Sequence, residues 1–193
     1  MLGRNFGYVT TQGEILSDLF RGAGYECISV SSHINRFRRL ADIVSSIISL
    51  RDRIDIVIID VYGGLSFVIE DVSSWLSERL GKPVIMLLHG GALPVFMARH
   101  PRWSRRVLSR AAALVSPSPF LSCAVGEYGF EARVIPNVID LGAYPYRHRR
   151  QVSPRLFWMR QFHSIWNPMM ALRVLSRLRR ACPEATLVMA GPD

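Results

Sequence analysis

Val134-Ile135-Pro136-Asn137-Val138-Ile139-Asp140 divides the sequence into two parts that each alternate short apolar runs with helical patterns. Before this stretch, the alternation is that of a parallel sheet with helices on both faces. After it come several arginines and a single strand-helix-strand pattern. We therefore predict an α/β protein: a doubly wound, Rossmann-like parallel sheet over residues 1–137, an inter-domain linker over 138–152 and an incomplete βαβ unit over 153–193.

Hydrophobic periodicity places the elements of the first part. Helices are predicted over 14–23, 34–50, 67–80, 103–113 and 119–128, and strands over 27–30, 55–60, 83–88, 114–116 and 132–135. Thr11 and Glu14 have the spacing of a capping box, which favours a helix start at that point.

The second part has too few elements to form a closed core. Strands are predicted over 155–159 and 186–190, with a helix over 168–180 between them. The residues predicted to face inward on this helix are Met169, Leu172, Val174, Leu175 and Leu178. Two strands and one helix cannot cover both faces of a sheet, so apolar area stays exposed unless something else covers it. We therefore expect a fragment of a larger protein that is marginally stable by itself.

The composition is that of a globular protein, and we expect it to be cytoplasmic. The 193 residues are 49% hydrophobic and 20% charged, which argues against a disordered chain. No apolar run approaches the roughly 20 residues of a membrane-spanning helix. Residues 1–13 lack a basic start, an apolar middle and a small-residue cleavage site, so export has no support.

Arginine dominates the charge, because the net charge is +9 and Lys82 is the one lysine. One interpretation is that GC-rich coding replaces lysine with arginine and that most of these arginines are simply solvated at the surface. The other is that the positive charge attracts a polyanion. Arginines and apolar residues are interleaved around residue 103, namely Arg99, Arg102, Arg105, Arg106 and Arg110 with Phe96, Met97, Trp103, Val107 and Leu108. A basic stretch with an apolar side predicts peripheral contact with an anionic membrane. No nucleic-acid-binding motif accompanies the charge, so we expect no nucleic acid partner.

The loop before the first helix is a candidate substrate-binding site. Gly3, Asn5, Gly7, Thr11 and Gly13 lie just ahead of a helix N-terminus, where amides and the helix dipole favour a phosphate or a sugar hydroxyl. The spacing is not that of a dinucleotide fingerprint. The alternative interpretation is a flexible glycine turn.

His89 is the candidate catalytic residue. It follows a predicted strand and precedes Gly90 and Gly91, whose backbone amides can approach a substrate closely. An imidazole there can donate or accept a proton, although the sequence shows no carboxylate that would orient it. The alternative is a structural histidine. A secondary ligand-facing loop is Asp-Val-Tyr-Gly-Gly over 60–64, in which we expect Asp60 to accept hydrogen bonds from amides.

Arg160 is the candidate donor-binding residue. It comes directly after the strand predicted over 155–159, together with Gln161 and His163. A fixed guanidinium in a cleft between two domains would bind a diphosphate. The alternative is an exposed surface arginine.

These stretches resemble the two-domain glycosyltransferases of the GT-B fold, in particular the large retaining family called group 1 or family 4. Within the stretch over 134–140, Pro136, Asn137 and Asp140 match that family's inter-domain segment, while Val138 replaces its glycine. Residues 156–160 resemble the first strand of the donor-binding domain, with its terminal arginine at Arg160. Residues 186–191 resemble the following strand and its glycine turn. The usual Lys-Gly pair is replaced by Trp-Asn at 166–167, and the family's paired-glutamate motif is not in the sequence.

The resemblance implies transfer of a sugar from a nucleotide-sugar donor to an acceptor, with retention at the anomeric carbon and with no cofactor or metal. The nucleotide-sugar is then a co-substrate, and the acceptor is a glycan or a lipid-linked sugar in surface polysaccharide or glycolipid synthesis. The first domain would hold the acceptor and the second the donor. The alternative from another class is a non-catalytic acceptor-binding module, or a split subunit that needs a separate donor-domain partner.

Overall fold

The computed structural model describes residues 11–31, 33–148 and 153–191, and the chain divides into two compact units, Met1–Ile139 and Asp140–Asp193. In its described residues, the first unit contains helices α1 (Gln12–Gly22), α2 (Arg36–Ser49), α3 (Phe67–Arg79), α4 (Leu93–Arg99), α5 (Pro101–Leu108) and α6 (Pro119–Gly126), and strands β1 (Val57–Val61), β2 (Val84–Leu88), β3 (Ala113–Ser116) and β4 (Ala132–Val134). The predicted Rossmann-like α/β class is confirmed.

The four strands form one parallel sheet in the order β1-β2-β3-β4. Val61 pairs with Leu88, so β1 and β2 end in register at the same edge of the sheet. The strands are short apolar runs, as expected for a sheet that is covered by helices. Their carboxyl ends, where folds of this class bind ligands, carry the loops that start at Tyr62 and His89.

The core lies between this sheet and its helices. Its fully buried apolar side chains are Val61, Phe67, Val84, Met86, Leu88, Leu93, Met97, Val107, Leu108 and Val125. The Phe67 ring packs against the rings of Phe96 and Trp103, with centroids 4.8 and 5.0 Å away. Helices α3, α4, α5 and α6 therefore contribute apolar side chains to this core, whereas α1 and α2 contribute none to it.

The predicted capping box at the start of α1 is confirmed. The Thr11 side chain accepts a hydrogen bond from the Glu14 amide, and the Glu14 carboxylate accepts one from the Thr11 amide. The side chain of Gln12 also pairs with the backbone of Val138, accepting from its amide at 3.0 Å and donating to its carbonyl at 3.3 Å. The start of α1 is thus tied to the Pro-Asn-Val-Ile-Asp stretch.

The strand predicted over 27–30 is wrong, because these residues form an extended loop without ladder hydrogen bonds. The Cys27 carbonyl accepts hydrogen bonds from the Arg21 guanidinium, so a side chain occupies a backbone acceptor that a strand would use. Ile28 is half exposed. An apolar run therefore does not become a strand unless a neighbouring strand supplies partners.

The bounds of the helix predicted over 103–113 are also wrong. The structure has two shorter helices in this region, α4 and α5, and α5 ends at Leu108. Pro101, which has no amide proton, is the first residue of α5 and sets that helix apart from α4. The apolar side of this region faces the core, because Met97, Val107 and Leu108 are fully buried. Three of the five apolar residues of this stretch are therefore in the core, and Phe96 and Trp103 are partly buried against it. Within the described ranges, no helix combines the length and the apolar character needed to cross a bilayer.

Asp71 links α3 to the end of α5. Its carboxylate accepts hydrogen bonds from Trp103 Nε1 at 2.7 Å and from Arg110 Nη1 at 2.6 Å, and it also pairs with Arg106. Burial alone would raise the pKa of Asp71, but the hydrogen bonds from Arg110, Trp103 and Arg106 lower it below its usual value. Two of the arginines expected on a lipid-facing surface are thus engaged in an ion-pair network.

The second unit contains strands β5 (Arg155–Met159) and β6 (Thr186–Ala190) with helix α7 (Pro168–Leu178) between them. The two strands pair in parallel, as predicted for a βαβ unit. Of the residues predicted to face inward on α7, Leu175 and Leu178 are partly buried. That prediction is wrong for Met169, Leu172 and Val174, which are about half exposed. A two-stranded sheet is too narrow to cover the whole apolar face of this helix.

Candidate functional site

The pairing of β1 with β2 brings Tyr62 and His89 side by side. Each residue comes directly after the paired ends of its strand, Val61 and Leu88. The His89 amide donates to the Val61 carbonyl at 2.8 Å. The Tyr62 and His89 rings are stacked, with centroids 5.0 Å apart and planes inclined by 18°.

His89 has an oriented imidazole. The ring atom Nε2 lies 3.1 Å from Oδ1 of Asp60, and His89 is buried, with 8% of its surface exposed. Because a carboxylate accepts hydrogen bonds and does not donate them, Nε2 carries the proton. The other nitrogen, Nδ1, makes no hydrogen bond within the described part of the chain, so its lone pair can accept one from a substrate hydroxyl.

The start of α1 lies against the same carboxylate. A Cβ atom added at Gly13 would be only 3.0 Å from Asp60 Oδ2, so any larger residue there would require the carboxylate to shift by a few tenths of an ångström. The negative charge beside the helix N-terminus is favourable for the helix dipole and unfavourable for a bound phosphate. Of the two ligand groups predicted for this loop, the arrangement favours a sugar hydroxyl.

Apart from Gly13, the residues predicted to bind substrate either have a structural role, lie beside His89 or fall outside the described residues. The Thr11 hydroxyl is engaged in the helix cap with Glu14. Gly90 has a φ of +79°, which favours glycine, and Gly91 is exposed beside it. Gly3, Asn5 and Gly7 lie outside the described residues.

Glu70 is a buried carboxyl group behind the site. Its Oε1 accepts a hydrogen bond from the Tyr62 amide at 2.9 Å, and only 4% of Glu70 is exposed. Its Oε2 is buried and has no hydrogen-bond partner within the described ranges. Burial raises the pKa of Glu70 to about 8; the hydrogen bond from Tyr62 lowers it and the charge of Asp60 raises it further.

Tyr62 is about half exposed beside the same cluster. Burial, and then the charges of Asp60 and Glu70, raise the pKa of its hydroxyl. The hydroxyl therefore stays protonated at neutral pH and can donate a hydrogen bond. The structure thus brings together Gly13, Asp60, Tyr62, Glu70 and His89. Among the described residues, no cluster of three or more His, Cys, Asp or Glu side chains is arranged to hold a metal ion.

Arg160 lies in the second unit, at the end of β5. Its amide donates to the Ala190 carbonyl at 3.1 Å, which fixes its backbone beside the end of β6. Its guanidinium lies over the Trp166 ring, 4.6 Å from the centroid. This cation–π contact favours one orientation of the exposed side chain.

The sequence singles out His89 but not the residues that contact it. Asp60 was expected to accept hydrogen bonds from amides, whereas it pairs with the imidazole, and neither Tyr62 nor Glu70 was singled out. Glu70 had one recognisable sign, since it is the acidic residue of the first turn of α3 and directly follows three apolar residues. The Asp60 pairing depends on the register of two strands, which the sequence pattern does not specify.

Comparison with curated proteins gives no match. The sequence profile of Glycosyltransferase Family 4 matches residues 17–143, more than half of the chain. The match includes the complete four-stranded sheet and the paired Asp60 and His89 at its edge. The parallel sheet with flanking helices is also that of a GT-B N-terminal domain, and the chain belongs to Glycosyltransferase Family 4.

Proposed function

We propose that this chain supplies the acceptor-side domain, and the start of the donor-binding domain, of a retaining glycosyltransferase. The enzyme transfers a sugar from a nucleotide-sugar to a glycan or lipid-linked acceptor, in surface polysaccharide or glycolipid synthesis. The observation that carries the proposal is the Asp60–His89 pair at the carboxyl ends of β1 and β2, the sheet edge where α/β enzymes bind ligands. Membership of the family supports the reaction class.

His89 contacts a sugar hydroxyl in this proposal. In the transfer, the acceptor oxygen forms a bond to the anomeric carbon and its proton passes to Nδ1 of His89, while the bond from that carbon to the nucleotide diphosphate breaks and the diphosphate leaves with the electron pair. Asp60 holds the Nε2 proton, so the Nδ1 lone pair of His89 accepts a hydrogen bond from the hydroxyl. The protonated Tyr62 hydroxyl beside it adds a donor.

Arg160 binds the diphosphate of the donor. A guanidinium can offer two parallel hydrogen bonds to phosphate oxygens, and stacking on Trp166 reduces the side-chain freedom lost on binding. The nucleotide-sugar is a co-substrate, and the proposal requires no cofactor.

Contact with an anionic membrane is proposed from charge alone. Arg99, Arg102 and Arg105 remain exposed at α4 and α5. Arginines near an anionic surface contribute roughly 1 kcal/mol each, and salt weakens the attraction. Sedimentation with liposomes tests this: binding to anionic vesicles but not to neutral ones supports it, and equal binding to both overturns it.

A second candidate is a split enzyme, in which a separate donor-domain subunit pairs with this chain. Exposed apolar side chains on the β5–β6 sheet favour it, namely Phe157, Met159 and Val188. Co-purification from the native host distinguishes the two, since a donor-domain protein bound in equal amount supports the split enzyme. A single chain that contains both domains supports the first proposal.

His89→Ala tests the main proposal in an enzyme that contains this chain with a complete donor-binding domain. Loss of a group that handles the transferred proton lowers the rate by about 10²- to 10⁴-fold. His33→Ala is the matched control, because His33 is exposed and has no side-chain contact with Asp60. Unchanged transfer in His89→Ala would remove His89 from the site.

A further inference from the structure

We infer that Glu70 is a positioning residue: its carboxyl group holds the backbone of Tyr62, and through the stacked Tyr62 ring it fixes the plane of the His89 imidazole. The functional meaning of this role rests on the proposed function of His89, whereas the positioning itself is a property of the fold.

The first link is the hydrogen bond from the Tyr62 amide to Glu70 Oε1, which is 2.9 Å long. Tyr62 comes directly after the last residue of β1, where the strand ladder stops. Glu70 lies in the first turn of α3 and is 4% exposed, so it provides a fixed acceptor at that point. The helix therefore determines how the chain leaves the strand.

The second link joins Tyr62 to His89. The rings are stacked at 5.0 Å, and the backbones on either side are joined by the hydrogen bond from the His89 amide to the Val61 carbonyl. Asp60 fixes the Nε2 atom of the imidazole, and the Tyr62 ring restricts the tilt of its plane. Two neighbours thus set the direction of the Nδ1 lone pair, and Glu70 anchors one of them.

The chemistry of Glu70 fits this role. Burial raises its pKa to about 8, so the group is largely neutral at pH 7 and needs no buried counter-ion. The Oε1 atom acts as a carbonyl acceptor, and the carbonyl oxygen of a glutamine can take its place. Glu70→Gln therefore keeps the positioning hydrogen bond, whereas Glu70→Leu keeps the bulk and removes the acceptor.

NMR spectroscopy of the whole isotope-labelled chain tests the role. In the unsubstituted chain and in Glu70→Gln, we expect the Tyr62 amide to exchange with solvent at least about tenfold more slowly than the exposed Gly91 amide. We expect the His89 ring protons to show the upfield shift that a stacked tyrosine causes. In Glu70→Leu, the Tyr62 protection should fall to that of Gly91, and the His89 ring shifts should move toward those of exposed His33.

Two results would overturn the inference. One is a Glu70→Leu chain that folds and keeps the His89 ring shifts of the unsubstituted protein. The other is a Tyr62 amide that exchanges as fast as Gly91 in the unsubstituted chain, and this measurement decides the matter if Glu70→Leu does not fold. A simple stabilising role for Glu70 would change the unfolding midpoint without changing the His89 ring shifts.

The outcome is separable from the proposed function. Failure of the NMR test leaves the role of His89 in transfer untouched, since that role is measured with His89→Ala. Conversely, unchanged transfer in His89→Ala overturns the catalytic proposal while the coupling of Glu70, Tyr62 and His89 remains measurable.

Discussion

Nε2 of His89 lies 3.1 Å from Oδ1 of Asp60, although 29 residues separate the two in sequence. The separation is bridged by the parallel register of β1 with β2, which places Asp60 beside Leu87, two residues before His89. In acid–base sites of enzymes, a carboxylate in this position fixes the tautomer and the orientation of an imidazole. For His89, the chemical consequence is that, in the neutral imidazole, the lone pair lies on Nδ1.

The first prediction concerns this tautomer. In Asp60→Ala, Nε2 loses its acceptor, so we expect the tautomer with the proton on Nδ1 to increase. The ¹⁵N chemical shifts of the His89 ring measure the ratio of the two forms. Asp55→Ala is the matched control, because Asp55 is exposed and comes just before the same strand. The assignment is wrong if the His89 nitrogen shifts of Asp60→Ala equal those of the unsubstituted chain.

The second prediction is a pH dependence of stability caused by Glu70. Its pKa is about 8 in the folded chain and about 4.5 in a solvated one, so the folded state binds the extra proton between these values. Stability is therefore highest below pH 4.5 with respect to this group and falls as the pH rises toward 8. The shift corresponds to a loss on the order of 5 kcal/mol.

Urea unfolding at several pH values checks this dependence. Glu70→Gln should remove the decline between pH 5 and pH 8, because an amide does not ionise. Glu131→Gln, which changes an exposed glutamate, should leave the decline in place. A Glu70→Gln chain with the same decline would assign it to other groups.

Sequence patterns predicted the elements of the sheet better than the contacts of the site. The strands at 57–61, 84–88 and 113–116 are short apolar runs, and each was predicted within two residues. The apolar run at 27–30 was misassigned, because its pattern says nothing about whether a partner strand is present. The prediction of the inward-facing residues of α7 was partly wrong for the same reason, since burial depends on what covers the helix.

In the candidate site, too, local patterns were predictable and long-range contacts were not. His89 was identifiable because a histidine before two glycines at a strand end is a local pattern. Its pairing with Asp60, its stacking on Tyr62 and the burial of Glu70 are long-range consequences of strand register and helix packing. Local periodicity carries no information about these contacts.

The third prediction concerns the network at Asp71. Asp71→Ala leaves the Arg110 guanidinium, which is 11% exposed, without its main partner. Breaking a largely buried ion pair in this way is expected to cost on the order of 3 kcal/mol in the free energy of unfolding. Asp18→Ala, which removes an exposed ion pair with Arg21, should cost less than about 1 kcal/mol. Equal effects in urea unfolding would contradict the structural role of Asp71.

The fourth prediction separates helix stability from site geometry at Gly13. An alanine inside a helix usually stabilises it by up to about 1 kcal/mol relative to glycine. In Gly13→Ala the new methyl group would meet Asp60 Oδ2 at 3.0 Å, so the carboxylate must move. We expect altered His89 ring shifts in a chain that remains folded. Gly22→Ala is the control at the other end of α1, since a Cβ there has open space and should leave His89 unchanged.

The last prediction concerns the donor diphosphate and is made for an enzyme that contains this chain and a complete donor-binding domain. Arg160 is exposed, and its guanidinium is oriented by Trp166 at 4.6 Å, so its loss should affect binding more than folding. A hydrogen bond between charged groups contributes about 1.5–3 kcal/mol, so Arg160→Ala should weaken nucleoside diphosphate binding about 10- to 100-fold. Isothermal titration with a panel of nucleoside diphosphates measures the change. Arg173→Ala, an exposed arginine on α7, should bind as tightly as the unsubstituted enzyme. If both variants weaken binding equally, general positive charge rather than a fixed guanidinium at the end of β5 attracts the donor.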